Sequence, residues 1–215
     1  NELLIRGKYV MKGYFGTRKK IFFEDGWFPT GDIMKIDEEN FHFIFDRKKD
    51  IYKNSRGETI APQKIENYFL ESDFVKQVFL VGDHKPYNTL LIFPDTENNL
   101  IQEHSKNNQK IQEIFESIVV SINQFLPKHE RIIDFRIIDR PFSVELEEIT
   151  PKNTLKRWIV ERNFAFIIEE MYKKNSSSFF VGKYEVIIPT WFFKENGFLT
   201  KDISYKNNEI INRKN

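Results

Sequence analysis

The run from Gln109 to Leu126 constrains the fold most, because its apolar residues repeat with the roughly 3.6-residue period of a helix that buries one face. These residues are Ile111, Ile114, Phe115, Ile118, Val119, Ile122, Phe125 and Leu126. Pro127 ends the helix, since it lacks the backbone N–H that a helix interior needs. Apolar runs of strand length lie before the helix, at Val78–Val81 and Leu90–Phe93, and after it, at Phe135–Ile138. Helices interspersed with strands, but not strictly alternating with them, predict an α+β fold with an antiparallel or mixed sheet and flanking helices.

The first part of the chain has the pattern of β-strands. Residues 3–12 predict two short strands broken by Gly7. Residues 33–36 and 41–45 predict an antiparallel hairpin around the turn at residues 37–40. We therefore expect a small β-rich piece over about the first 45 residues.

Two further helices and a polar end complete the pattern. Pro62 can begin a helix, since its fixed φ suits a first helical turn. The apolar face of that helix would carry Ile65, Tyr68 and Phe69. A last helix is predicted from about Leu155 to Tyr172, with Ile159, Phe164, Ile167, Ile168 and Met171 in its buried stripe. Residues 173–178 predict a flexible linker, followed by a tail whose one apolar patch is "VIIPTWFF".

Composition excludes several kinds of function. Lys and Arg number 33 against 32 Asp and Glu, a net charge of +1 that gives no global field for nucleic acid. The absence of cysteine excludes disulfides, thiolate nucleophiles and cysteine-bound zinc. The histidines at positions 42, 84, 104 and 129 are too far apart for a paired helical metal motif, so no metal site is assigned to the chain itself. No run reaches about 18 apolar residues, so we expect a soluble protein without a transmembrane segment.

Charged residues cluster at the two ends of the predicted hairpin. Asp32 stands in "PTGD", and Arg47 stands in "DRKKD" about fifteen residues later. A carboxylate can accept both hydroxyls of a ribose, and a neighbouring arginine can reach a sugar or phosphate oxygen. This arrangement indicates either a nucleotide site or a turn aspartate beside a solvated charged loop.

Five blocks follow one another along the chain: "GWFPTGD", "DRKKD", "APQKIENYF", "VGDHKPYNTLLIFPD" and "DRPFSVELEEITPKNTLKR". In this order they resemble the C-terminal part of the adenylate-forming enzymes, which include acyl-CoA synthetases, luciferases and peptide-synthetase adenylation domains. The last two blocks resemble the long-chain acyl-CoA synthetase branch. The resemblance covers residues 1–172.

In that family a carboxylic acid attacks the α-phosphate of Mg-ATP to give an acyl-adenylate and pyrophosphate, and the thiol of CoA then displaces AMP. The resemblance implies that Asp32 binds the ribose and that Arg47 contacts the nucleotide. It places Lys49 at the hinge of a mobile lid domain, where a few backbone dihedrals absorb a rotation. It also implies that the loop Ser55–Gly57 faces the channel for CoA.

Two positions depart from the family pattern. Arg56 stands inside a loop that usually has the sequence Ser-Gly-Gly, where a side chain could crowd the backbone approach to the CoA channel. The lysine that neutralises charge at the α-phosphate falls on Thr154, which supplies no cation. Lys152 and Lys156 are the candidate catalytic replacements, although a helical Lys156 would point about 200° away from the expected direction.

The resemblance predicts that residues 1–46 end an N-terminal AMP-binding domain, that residues 47–172 form the lid, and that residues 173–215 are a linker and tail without an assigned role. It implies ATP or AMP, Mg²⁺ held mainly by an upstream domain, and CoA as cofactors, with fatty acid and CoA as substrates. The predicted protein is the C-terminal portion of a cytoplasmic long-chain fatty acid–CoA ligase, open to peripheral membrane contact and inactive without the upstream domain. The alternatives are a truncated or decayed non-catalytic remnant that keeps a lid-type interaction module, and a relative that loads another acid or thiol carrier.

Overall fold

The computed structural model describes residues 2–16, 20–173, 176–181, 183–189, 203–206 and 209–212. Its first sheet is antiparallel, in the order β1 (Glu2–Ile5), β2 (Phe28–Ile36), β3 (His42–Arg47). The predicted hairpin is confirmed by β2 and β3, whose turn forms because the Asp37 carboxylate accepts N–H groups of Glu39 and Phe41 at 2.9 and 2.8 Å. The predicted second strand within residues 3–12 is wrong, since the chain turns at Gly7, whose carbonyl accepts the Val10 N–H at 3.2 Å.

The second sheet lies at the centre of the larger part of the molecule. A two-stranded ribbon, β4 (Tyr52–Lys53) with β5 (Thr59–Ile60), leads into helix α1 (Pro62–Leu70). Strands β6 (Val75–Val81) and β7 (Asn88–Pro94) form the predicted antiparallel hairpin.

The connection after β7 is helical. Helices α2 (Asn99–Glu103) and α3 (Asn108–Asn123), then a 3₁₀ turn at Lys128–Glu130, lead to β8 (Ile132–Ile137), which pairs with β7 in parallel. Helices α4 (Arg157–Asn163) and α5 (Ala165–Met171) follow. The sheet order β6-β7-β8 with flanking helices confirms the predicted α+β class.

Both faces of this second sheet are covered, because successive side chains of a strand point to opposite sides. On one face, Val78, Leu80, Leu90 and Ile92 pack with α1 and α3. On the other, Phe79, Val81 and Leu91 pack with Phe142 and with buried residues of α4 and α5. Phe79 is fully buried, so its truncation to alanine would cost about 3–5 kcal/mol.

Several expectations about the helices are wrong in detail. Tyr68 and Phe125 were expected on buried stripes but are 41% and 86% exposed. For Phe125 the reason is that α3 ends at Asn123, before Phe125 can continue its buried face. The single last helix is two segments that meet at Phe164, whose φ of −105° and ψ of 15° are not helical.

The described residues after residue 175 form two β-hairpins. Strands β9 (Ser176–Val181) and β10 (Tyr184–Pro189) pair antiparallel, as do β11 (Ile203–Lys206) and β12 (Glu209–Asn212). The predicted linker is therefore wrong at residues 176–178, which lie in β9. Of the apolar patch "VIIPTWFF", residues 186–189 belong to β10 and residues 190–193 lie outside the described residues.

Candidate functional site

Asp32 and Arg47, the two charged residues singled out in the hairpin, are directly paired across β2 and β3. Arg47 Nε lies 2.8 Å from Asp32 Oδ1, and the two side chains are 49% and 18% exposed. Gly31 precedes the aspartate with a φ of +79°, a left-handed conformation that favours glycine, and its carbonyl accepts the Lys48 N–H at 2.7 Å. A carboxylate and a guanidinium thus lie side by side and partly exposed. The carboxylate can accept hydrogen bonds from hydroxyl groups, and the guanidinium can donate them to phosphate oxygens.

Lys49 lies in the tight turn that leads out of β3. The Arg47 carbonyl accepts the N–H groups of Asp50 and Ile51 at 2.9 and 3.2 Å, and Lys49 itself is exposed. The turn is a short connection between β3 and the β4–β5 ribbon, and residues 47–49 in it are exposed. The hinge role of Lys49 stays a prediction.

Asp46 was not singled out, although it is the first residue of "DRKKD". Its side chain is fully buried, and its carboxylate accepts N–H groups of Arg47 at 2.6 Å and of Gln63 at 3.0 Å. Gln63 is in the first turn of α1, where backbone N–H groups lack helical partners. Burial raises the pKa of Asp46 above its ordinary value, against the lowering effect of these two hydrogen bonds. Asp46 therefore ties the last strand of the first sheet to α1.

The loop Ser55–Gly57 is organised by Asn54, which is 3% exposed. The Asn54 amide oxygen accepts the N–H groups of Arg56 and Glu58, both at 3.0 Å. Gly57 has a φ of +79°, and a side chain added there would meet nothing within 4 Å. Arg56 Nε lies 3.1 Å from Glu58 Oε2, so this arginine is held by its own loop.

The lysine-motif segment forms a hairpin loop, defined here as Thr150–Thr154, closed by a bridge between Ile149 and Leu155. Thr150 donates its N–H to the Thr154 carbonyl at 2.9 Å, and its Oγ1 accepts the Thr154 N–H at 3.1 Å. Asn153 has a φ of 58°, a conformation that asparagine tolerates better than most residues. The side chain at the position expected to hold lysine, Thr154, is exposed on this loop.

The two candidate lysines are placed differently. Lys152 is exposed within the hairpin loop, whereas Lys156 is partly buried and immediately precedes α4. Lys156 has a φ of −97° and a ψ of 85°, so it is not helical, and the deviation of about 200° expected of a helical Lys156 does not apply. In the described part of the chain, neither lysine forms an ion pair with Asp32, whose partner is Arg47.

Arg157, the third cation of the segment, belongs to a buried pair that sequence reasoning missed. Its guanidinium contacts both carboxylate oxygens of Glu66, at 2.9 and 3.3 Å, and the Leu80 carbonyl at 2.6 Å. The side chains of Arg157 and Glu66 are only 15% and 5% exposed. Burial acts to lower the pKa of Arg157, but the charge and the hydrogen bonds of Glu66, together with the nearby Tyr52 and Asp50, outweigh it and the pKa is raised. This arginine is engaged within the fold.

A second missed pair precedes the hairpin loop. Arg140 contacts both carboxylate oxygens of Glu148, at 2.7 and 2.8 Å, and the Glu148 side chain is fully buried. Asn163 and the Ser143 backbone N–H also donate to this carboxylate, at 3.0 and 3.2 Å. Burial alone would raise the pKa of Glu148, but the hydrogen bonds from Arg140 and Asn163 lower it below the ordinary value.

The described residues hold no group of three or more histidine or acidic side chains that could bind a metal ion. Within the same residues, no helix combines the length and apolar character that crossing a membrane requires.

Comparisons with known proteins agree with this architecture. Residues 49–176 match the family model of the AMP-binding enzyme C-terminal domain. The long-chain-fatty-acid–CoA ligase FadD15 of Mycobacterium tuberculosis is 34% identical over 188 residues, which cover 80% of this chain and 31% of that protein. Fatty acyl-CoA synthetase A of Dictyostelium discoideum is 32% identical over 190 residues, covering 80% of this chain and 28% of that protein. The chain thus spans less than a third of the length of these curated relatives.

A solved structure shares the fold. The A domain of a carboxylic acid reductase from Segniliparus rugosus, solved with AMP and a co-purified carboxylic acid, superposes with a TM-score of 0.68 at 24% identity. The match covers 80% of this chain and 28% of that one. At this identity the likeness concerns the fold alone.

Proposed function

Because this chain belongs to the AMP-binding enzyme C-terminal domain family, we propose that it is the C-terminal portion of an AMP-forming long-chain acyl-CoA synthetase. In the proposed reaction, a fatty acid carboxylate attacks the α-phosphorus of ATP and pyrophosphate leaves. The CoA thiol then attacks the acyl carbon and AMP leaves. Curated relatives that match 80% of the chain carry the names of long-chain fatty acid–CoA ligases, which supports this substrate class.

The observation that carries the proposal is the Asp32–Arg47 pair. Its two groups are adjacent, at 2.8 Å, and partly exposed, so a ligand can approach them without unfolding the strands. We assign the Asp32 carboxylate to the ribose hydroxyls of ATP or AMP, and the Arg47 guanidinium to a neighbouring oxygen of the nucleotide. Mg²⁺ would bind chiefly to the phosphates and to an upstream domain.

The proposed division of the chain follows its two sheets. Residues 1–46 would complete an upstream N-terminal domain, residues 47–172 would form the lid, and residues 173–215 receive no role. The family match, which begins at residue 49, supports a boundary at the turn that contains Lys49. Rotation of the lid at this turn would change which surface it presents between the two half-reactions.

The loop Ser55–Gly57 is the proposed contact for the CoA arm. Its left-handed glycine and the open space at Gly57 support close approach of a ligand to the backbone. The ion pair between Arg56 and Glu58 draws the arginine toward its own loop, which reduces the obstruction expected from sequence.

Lys156 is the proposed substitute for the missing lysine, with Lys152 as the alternative. Lys156 N–H donates to the Glu148 carbonyl at 2.7 Å, so its backbone is anchored, whereas Lys152 lies within the exposed loop. An anchored backbone limits where a long side chain can place its charge, which favours preorganised stabilisation of the α-phosphate. We place the whole protein in the cytoplasm with peripheral membrane contact, since long acyl chains partition into lipid.

The test uses the longer reading frame that contains these residues. An in-frame phosphate-binding loop and substrate domain upstream would support the synthetase, and the expressed protein should exchange pyrophosphate into ATP when a fatty acid is present. Asp32→Ala should lower this exchange about 10- to 100-fold, since a hydrogen bond to a charged group contributes about 1.5–3 kcal/mol. Glu38→Ala, in the exposed turn of the same hairpin, is the matched control and should leave it unchanged. Absence of exchange with every carboxylic acid tried would contradict the proposal.

The second candidate is a non-catalytic remnant, and Thr154 is the observation that favours it. In the longer protein, Thr154→Lys should raise adenylation strongly if the site has decayed. Lys156→Ala and Lys152→Ala should each be measured beside Thr154→Lys. Loss of adenylation in one of them identifies the lysine that replaces the missing one. A stop codon immediately upstream would support the remnant instead.

A further inference from the structure

We propose that two arginine–glutamate pairs, Arg140–Glu148 and Arg157–Glu66, hold the hairpin loop from its two sides and fix the direction in which it presents its side chains. The four residues are positioning residues, and their role in adenylation rests on the proposed function. The pairs lie directly outside the bridge that closes the loop, one before Ile149 and one after Lys156.

The first pair holds the incoming side of the loop. The buried Glu148 carboxylate receives both Arg140 contacts together with the Asn163 amide, which belongs to α4. The Glu148 backbone carbonyl also accepts the Lys156 N–H at 2.7 Å. One residue therefore joins the segment before the loop, the segment after it and the end of the following helix.

The second pair holds the outgoing side. Arg157 is the first residue of α4, and its guanidinium reaches Glu66 of α1 and the Leu80 carbonyl of β6. It also lies over the Phe79 ring, 4.5 Å from its centroid. The start of α4 is thereby attached to β6, an edge strand of the second sheet, which restricts how the hairpin loop can turn relative to that sheet.

Both arginines pair with glutamates inside the fold. Within this segment, positioning the loop and contacting a ligand would therefore fall to different residues. Bidentate pairing fixes the orientation of each guanidinium as well as its distance. Replacing a buried pair by apolar residues is often neutral for stability, so the buried Arg157–Glu66 pair and the buried Glu148 carboxylate beside the loop indicate a specific arrangement rather than a need for stability. The cations left in the segment for a phosphate are Lys152 and Lys156.

Amide hydrogen exchange in the 215-residue chain, followed by NMR as protection factors of Thr154 and Lys156, tests the proposal. Arg140→Met should lower both protection factors at least tenfold, whereas Arg140→Lys, which keeps the charge facing Glu148 but loses the bidentate geometry, should recover only part of that loss. Arg136→Met is the matched control. Arg136 is 42% exposed against 37% for Arg140 and is paired with Asp134 within β8, so it should leave the loop unaffected.

Arg157→Lys tests the second pair, since lysine keeps the charge but loses the bidentate geometry. It should lower the protection of Lys156 at least tenfold. Unchanged protection in both Arg140→Met and Arg157→Lys would overturn the proposal, because the loop would then be held by its own hydrogen bonds. Equal losses in Arg140→Met and Arg136→Met would also overturn it, because the effect would be global. No nucleotide or acid enters the measurement, so its result is independent of whether the adenylation assay succeeds.

Discussion

The first sheet and the helices that cover the second sheet each contain an arginine–carboxylate pair of nearly equal length, yet the pairs differ in their surroundings. In the first sheet, Arg47 and Asp32 are 2.8 Å apart with side chains 49% and 18% exposed. Between helices that cover the second sheet, Arg157 and Glu66 are 2.9 Å apart with side chains 15% and 5% exposed. The same chemical pair is accessible in one region and enclosed in the other.

The difference teaches that distance alone does not separate a binding group from an architectural one. An exposed pair is solvated and can exchange its partner for a ligand at little cost. A buried pair cannot, because removing one member leaves an uncompensated charge in a medium of low dielectric constant. Exposure is therefore the property that leaves the Asp32–Arg47 pair open to a ligand, whereas the Glu66–Arg157 pair is enclosed within the fold.

The largest effect is expected from breaking the buried pair. Arg157→Ala leaves the Glu66 carboxylate buried and unpaired, so the free energy of unfolding should fall by about 3–5 kcal/mol. Urea denaturation followed by tryptophan fluorescence or circular dichroism measures the change. The double variant Glu66→Leu with Arg157→Met removes both charges and should recover much of the loss. A loss below about 1 kcal/mol in Arg157→Ala would contradict the argument, because the Glu66 carboxylate would then behave as a solvated group.

A smaller loss is expected at Gly82, where the enclosed region leaves no room for a side chain. A Cβ there would lie 2.3 Å from Asn88 Oδ1 and 2.6 Å from the Tyr52 hydroxyl. Gly82→Ala should therefore lower the free energy of unfolding by about 1–3 kcal/mol through overpacking. Gly13→Ala is the control in the open region, since its Cβ would meet nothing within 4 Å and stability should hold. Equal losses of stability in Gly82→Ala and Gly13→Ala would contradict the prediction that only Gly82 is tightly packed.

Local sequence patterns predicted several elements of both sheets and the position of Asp32 and Arg47 in the first. The α3 periodicity, the β6–β7 hairpin and the pairing of β2 with β3 all follow from residues near one another in sequence, because periodic burial is a local signal. That pairing also brought Asp32 and Arg47 together. The site's role in binding stays a prediction.

The rest depends on contacts between distant segments. Glu66 and Arg157 are 91 positions apart, and no local pattern marks a glutamate in α1 as the partner of an arginine at α4. The start of the last helix also depends on such a contact. The helix was expected from about Leu155 but begins at Arg157, while the N–H of Lys156 donates to the Glu148 carbonyl and its backbone is not helical.

Asp46 joins the two regions, and its effect should depend on pH. Burial raises its pKa above the ordinary value of 3.8, so the folded state binds its proton more tightly than the unfolded state. Below pH 3.8 the carboxyl group is protonated in both the folded and the unfolded state, so its burial imposes no ionisation penalty. As pH rises through the window between the ordinary and the raised pKa, the wild type should lose stability relative to Asp46→Asn, by about 1.4 kcal/mol for each unit of the shift. Urea denaturation of both proteins between pH 3.5 and pH 7 measures the difference, and a difference independent of pH would contradict the burial argument.

The smallest effect on folding is expected from breaking the exposed pair, and this is the variant that makes the comparison decisive. Arg47→Ala should change the free energy of unfolding by less than about 1 kcal/mol, because water replaces the lost partner of Asp32. The measurement is the same urea denaturation used for Arg157→Ala, so the two arginines are compared under one set of conditions. A large loss in Arg47→Ala would mean that the pair holds β2 to β3, and its assignment to a ligand would lose its physical basis. A negligible loss is the result expected of a solvated surface pair, so Arg47 then remains free to contact a ligand without weakening the fold, and the proposed nucleotide role is tested by the pyrophosphate exchange of Asp32→Ala.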